Sequence, residues 1–200
     1  MVKRHSKNSG FTLIELIVTV AILAIVSTGM ILSLNIVFSA NSRKSAKSCQ
    51  AVLDRCRINA MARSGTDTFV AFYNDSNGKA TASYILNNKV IETDTLCNMK
   101  VKGSFEGKPS ISGADLKGDL SEDKMLYVSF NRSNGSLKGF ALGSPYTVEA
   151  DGKVKLPSDM TTTSLSNYTN TADAKIIFSG SNRYAVSIDP LTGNISYGST

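Results

Sequence analysis

Residues 10–15 read Gly10-Phe11-Thr12-Leu13-Ile14-Glu15, and the character of the chain changes across them. Before them, residues 1–10 carry Lys3, Arg4, His5 and Lys7 and no acid. After them, residues 11–38 hold no Lys or Arg, and Glu15 is their only charge. The run LIVTVAILAIV at 16–26 is almost wholly apolar. With its continuation to Phe38, it is long enough as a helix to cross a hydrocarbon core of about 30 Å. The basic stretch ahead of it fits the cytoplasmic side. A conventional secretory signal is cut after its apolar core, at small residues. Here the polar-to-apolar junction precedes the core. A charged side chain at the centre of a membrane helix costs about 2.5–3.5 kcal/mol on insertion scales, and less near its end, so Glu15 calls for a functional reason.

The helical pattern continues past the apolar run. Ala46, Cys49, Leu53, Cys56 and Ala60 fall at the spacing of one helix face. Arg43, Lys44, Lys47, Asp54, Arg55, Arg57 and Arg63 lie on the others. No proline occurs before Pro109, and Gly29 is the only glycine between Gly10 and Gly65. One continuous helix is expected from about 11 to about 63, on the order of 80 Å long at 1.5 Å per residue. Its second half needs a cover for the Cys49–Cys56–Ala60 stripe. Ser64-Gly65 reads as its stop.

After Gly65 the texture is β, with short β-branched and aromatic runs between Gly, Asn, Asp and Ser clusters. Strands are expected at 68–73, 82–86, 99–105, 125–131, 137–142, 175–179, 184–188 and 194–197. Turns are expected at 74–78, 133–135 and 190–193. The stretch 155–171 reads as a long surface loop. The fold class is therefore α+β: a long N-terminal helix, lipid-like and then amphipathic, packed on an antiparallel sheet. The organisation is 1–10 leader, 11–38 membrane and assembly half-helix, 39–64 amphipathic half-helix, and 65–200 β-rich head.

The basic leader, the Gly-Phe-Thr-Leu-Ile-Glu junction and the apolar run together resemble the class III signal of type IV pilins and pseudopilins. The match is close from Lys7 to about Val26, and the helix-then-sheet plan covers the rest. The resemblance implies cleavage by a prepilin peptidase between Gly10 and Phe11, and N-methylation of the new amino terminus on Phe11. It implies that Glu15 matches the carboxylate that serves assembly. In a filament of parallel staggered helices, Glu15 of one subunit can neutralise the Phe11 amine of a neighbour. The implied partners are the prepilin peptidase, other pilin subunits, a platform protein with its ATPase, and the membrane. The precursor would be a single-pass protein with a cytoplasmic N-terminus and its head outside, and later part of a surface filament or pseudopilus. The segments 126–136, 175–178, 184–188 and 192–196 are similar to minor pseudopilins of the GspH/FimT type, which use a β-sandwich-like head. That favours a minor pilin or pseudopilin over a major subunit.

Other motifs carry less. Gly103-Ser-Phe-Glu-Gly107-Lys108-Pro109 has three residues between its glycines where a phosphate loop needs four, and reads as a turn. Ser121-Glu122-Asp123-Lys124 has S-x-x-K spacing without a K-T-G companion. Asp75-Ser-Asn77-Gly78 resembles half a calcium loop without the distal Glu. Arg43, Lys44 and Lys47 read as a solvated face, with phosphates or headgroups as the alternative. Three cysteines are too few for a disulfide framework. Three buried thiols is the preferred reading of Cys49, Cys56 and Cys97, with a pairing of Cys97 to either of the others left open.

The chain has 22 Lys+Arg against 16 Asp+Glu, a formal charge of +6. The leader holds +3 (Lys3, Arg4, Lys7), residues 11–64 hold six bases and two acids for +4, and 65–200 hold 13 bases and 14 acids for −1. The head is nearly neutral, so no nucleic-acid partner is expected, although a role in DNA uptake stays open. The one histidine, His5, leaves with the leader, which removes Ser-His and Cys-His catalysis. No enzyme activity, cofactor or metal site is expected. The competing reading is a secreted or membrane-anchored binding domain with a conventional signal, for which Ser27-Thr28-Gly29 offers a cleavage site.

Overall fold

The computed structural model describes residues 11–62, 68–107, 116–157, 161–164 and 174–200. Gly10 and the rest of the leader lie outside the described residues, as do the side chains of 29–35. The chain forms two compact units, Met1–Val37 and Phe38–Thr200. A single helix, α1 (Leu13–Ala62), belongs to both. It starts two residues after Phe11 because Thr12 caps it. Among the described residues no helix is long and apolar enough to cross a membrane. In the first unit the described side chains of the apolar run stop at Thr28.

The second unit is built on antiparallel strands. They are β1 (Thr68–Asn74), β2 (Ala80–Leu86), β3 (Lys89–Thr95), β4 (Lys102–Gly107), β5 (Leu116–Asp119), β6 (Met125–Phe130) and β7 (Leu137–Gly143). There follow β8 (Thr147–Val148), β9 (Val154–Lys155), β10 (Thr161–Ser164), β11 (Ala174–Ser179), β12 (Arg183–Ile188) and β13 (Ile195–Ser199). One sheet has the order β10-β7-β6-β1-β2-β3, another β13-β12-β11-β4-β5, and β8 and β9 form a small hairpin.

The three expected turns are present, with Gly78, Gly135 and Gly193 all at positive φ, where a Cβ is disfavoured. Three expectations need correction, and one turn was not expected. The 155–171 stretch is not all loop: β9 takes Lys155, and β10 adds an edge strand to the first sheet. The strand expected at 99–105 is displaced to 102–107, because the Val101 N–H turns away to the carbonyl of Gly78 at 3.2 Å. Gly103 to Gly107 are therefore strand, not turn. Between β2 and β3, Asn87 and Asn88 take left-handed φ of 53° and 55°, a hairpin turn that the sequence reading passed over.

The stripe predicted on the amphipathic half-helix is the buried one. Ala46, Cys49, Leu53, Cys56 and Ala60 share one core with Val70, Phe72, Leu126 and Val128 of the first sheet. Phe105, Ile176, Phe178 and Val186 of the second sheet join the same core. The other face of the first sheet has its own cluster, Phe69, Ala71, Ile85, Met125, Tyr127 and Ala141, with Val154 of β9 among them. Tyr146 packs against that cluster and donates its hydroxyl to Ser83 Oγ at 3.1 Å.

Two turns and the helix are fastened together near Arg57. Its Nε donates to the Gly135 carbonyl at 3.0 Å, and its NH2 nitrogen to the Thr192 carbonyl at 2.9 Å. The Leu137 N–H reaches the Pro190 carbonyl at 3.1 Å, so the β6–β7 and β12–β13 turns are also bonded directly. A Cβ on Gly193 would collide with the Gly135 carbonyl.

Candidate processing and assembly end

The first helical turn is built locally. Thr12 Oγ1 accepts the backbone N–H of Glu15 at 3.3 Å, and the Thr12 carbonyl accepts the N–H of Leu16 at 3.2 Å. Thr12 is thus the N-cap, satisfying a donor that the helix itself leaves orphaned. Glu15 is the third helical residue, so Thr12-x-x-Glu15 has capping-box spacing. A carboxylate in the first turn also opposes the positive end of the helix dipole. The sequence reading singled out Phe11 and Glu15 and missed Thr12, although a Thr three residues before a Glu and ahead of an apolar run signals such a cap.

Phe11, just before the cap, is 83% exposed. Around α1 from Leu13 to Val26, apolar side chains point outward on every side. Ile14, Leu16, Ile17, Val18, Leu23 and Ile25 are all about half exposed or more, and none has cover within its unit. The polar side chains of this stretch turn inward onto the helix. Thr19 donates to the Leu16 carbonyl at 2.9 Å, Ser27 to Leu23 at 2.6 Å and Thr28 to Ala24 at 2.9 Å. Each hydroxyl donor is satisfied without water.

The lookalike motifs are spent on structure. Asp75 Oδ1 accepts the N–H groups of Asn77 and Lys79 at 2.9 and 2.8 Å, which folds the β1–β2 turn. Ser121 and Lys124 exchange backbone hydrogen bonds in the turn between β5 and β6. Among the described residues, no group of three or more His, Cys, Asp or Glu could hold a metal ion. Cys49, Cys56 and Cys97 are all buried and free. Burial pushes the Cys49 thiol well up and the Cys56 thiol up to about 12, so both stay protonated and unreactive at neutral pH. Cys97 Sγ donates to Asn41 Oδ1 at 3.4 Å.

No curated protein and no solved structure matches the chain. The family bearing the motif at its N-terminus is structural, not enzymatic. The prokaryotic N-terminal methylation motif, the signal of type IV pilins and prepilins, matches residues 5–31 of the chain.

Proposed function

We propose that the mature protein is a filament subunit, a minor pilin or pseudopilin, that polymerises through its N-terminal half-helix. A prepilin peptidase cuts between Gly10 and Phe11 and methylates the Phe11 amine. Residues 11–38 hold the subunit in the membrane until assembly, with the head outside. The platform protein and its ATPase then lift it into the filament. There Glu15 of one subunit neutralises the Phe11 amine of the next, which favours leaving the lipid and sets the stagger.

The observation that carries this reading is the outward apolar coat on α1 beginning directly at the processing junction. A helix that is apolar all round is stable only inside lipid or a helix bundle. Its hydroxyls are satisfied on its own carbonyls, as either surrounding requires. The cap at Thr12 supports the same reading, since it lets the helix begin two residues after the cut. The minor-subunit reading draws support from the head, whose main core lies between residues of two separate sheets rather than on one meander.

Mass spectrometry of the N-terminal peptide from purified membranes tests the proposal. It predicts a chain starting at methylated Phe11.

A further inference from the structure

Among the described residues, the exposed cations at the start of the second unit, Arg43, Lys44 and Lys47, have no ion-pair partner. No acid occurs in the sequence between Glu15 and Asp54. By contrast, Arg55 pairs with Glu92 at 2.5 Å, and Arg57 is held by two carbonyls.

The head borders the Arg43 edge of this face and covers the far side of the same turns. Asn182 Nδ2 donates to Ser39 Oγ at 2.9 Å, and Gln50 Nε2 to the Ile195 carbonyl at 3.0 Å. Ser42, Ser45, Ala46 and Cys49 are fully buried. At about 100° per residue, the three cations occupy about 100° of the helix circumference, on the side away from that buried face. They begin five residues after Phe38 and are the first charges after Glu15.

We propose that the Arg43–Lys44–Lys47 face docks on anionic, phosphate-bearing lipid headgroups while the subunit waits in the membrane. The inference rests on the membrane residence proposed above. The chemistry is charge complementarity: clustered cations beside a bilayer collect acidic lipids, and the attraction fades within a Debye length of about 8 Å. A docked face would orient the head against the bilayer before assembly. It would also have to be released for the subunit to be extracted.

The test uses the full chain in nanodiscs of phosphatidylcholine, with and without phosphatidylglycerol. Acylation of lysine amines is read by peptide mass spectrometry, with exposed Lys124 as the internal reference. Lys44 and Lys47 should be acylated about threefold or more slowly in the acidic discs, relative to Lys124. High salt should restore them, and free inorganic phosphate should not protect them in neutral discs. The variant Arg43→Gln/Lys44→Gln/Lys47→Gln should still enter both kinds of disc. Equal acylation in acidic and neutral discs overturns this inference alone. So does protection in neutral discs that rises with copies per disc, which assigns the face to a second copy. Failure to enter neutral discs overturns the membrane reading beneath it.

Discussion

The side-chain oxygen of Thr12, one residue after Phe11, accepts the backbone N–H of Glu15 at 3.3 Å. The carboxylate assigned to assembly is thereby held in the first turn of a helix whose start is fixed locally. Position 12 should matter for the order of this turn. Thr12→Ala is expected to cost the turn about 1 kcal/mol, with Thr12→Ser retaining it. Amide hydrogen exchange at Leu13–Glu15 in a membrane-like environment reads the difference, and unchanged protection in Thr12→Ala would remove the cap from the account.

The assembly role proposed for Glu15 is tested separately. Glu15→Ala should leave cleavage at Gly10 intact and sharply reduce incorporation into filaments, because a neighbour's amine loses its counter-charge. Quantifying the variant in sheared filaments against the membrane fraction decides it. Wild-type incorporation would exclude neutralisation as the force that sets the stagger.

Arg57 should be a principal fastening of the head to the helix. Arg57→Ala removes two hydrogen bonds from a charged donor and should lower unfolding free energy by about 1–3 kcal/mol, with Arg57→Lys recovering little because it lacks the fork. Gly193→Ala should be worse than Gly152→Ala. Both glycines have positive φ, at 67° and 79°, but a Cβ at 152 meets nothing within 4 Å and one at 193 strikes a carbonyl. Urea unfolding of the four variants checks the order.

The Cys49 and Cys56 thiols should make stability fall at alkaline pH. Cys56 ionises near 9.0 when unfolded and only at about 12 when folded. Between those values the folded state binds more protons, so unfolding free energy declines as pH rises, by about 1.4 kcal/mol per pH unit for each such thiol. Below about 9 the contribution is fully present. Urea midpoints from pH 8 upward should slope less steeply in Cys56→Ala than in the wild type, and parallel slopes would contradict the burial argument.

Much of this architecture was legible in the chain, for definite reasons. The Ala46–Cys49–Leu53–Cys56–Ala60 stripe was readable because a helix buried on one side repeats its apolar residues every turn. Strand β1 was readable because Phe69, Val70, Phe72 and Tyr73 crowd into seven residues. Edge strand β3 was not, since Lys89, Ile91, Thr93 and Thr95 all stand exposed on one face and leave no clear buried alternation. Strand β10 consists of Thr161 to Ser164, whose composition matches that of the loop around it. The Arg57 fastening left no trace either, because its acceptors are main-chain carbonyls 78 and 135 residues away. At the N-terminal end the signal motif was readable, as its family-model match over residues 5–31 agrees, while Thr12 was passed over although its spacing to Glu15 is a readable cap signal.

The central claim is that the junction at residues 10–15 is a processing site and the helix behind it an assembly element. The N-terminal peptide of the protein recovered from membranes tests that most directly, by tandem mass spectrometry. The account predicts a sequence beginning at Phe11 with one methyl group on its amine. An intact Met1, or a chain starting at Met30 after a conventional signal cleavage, would contradict it.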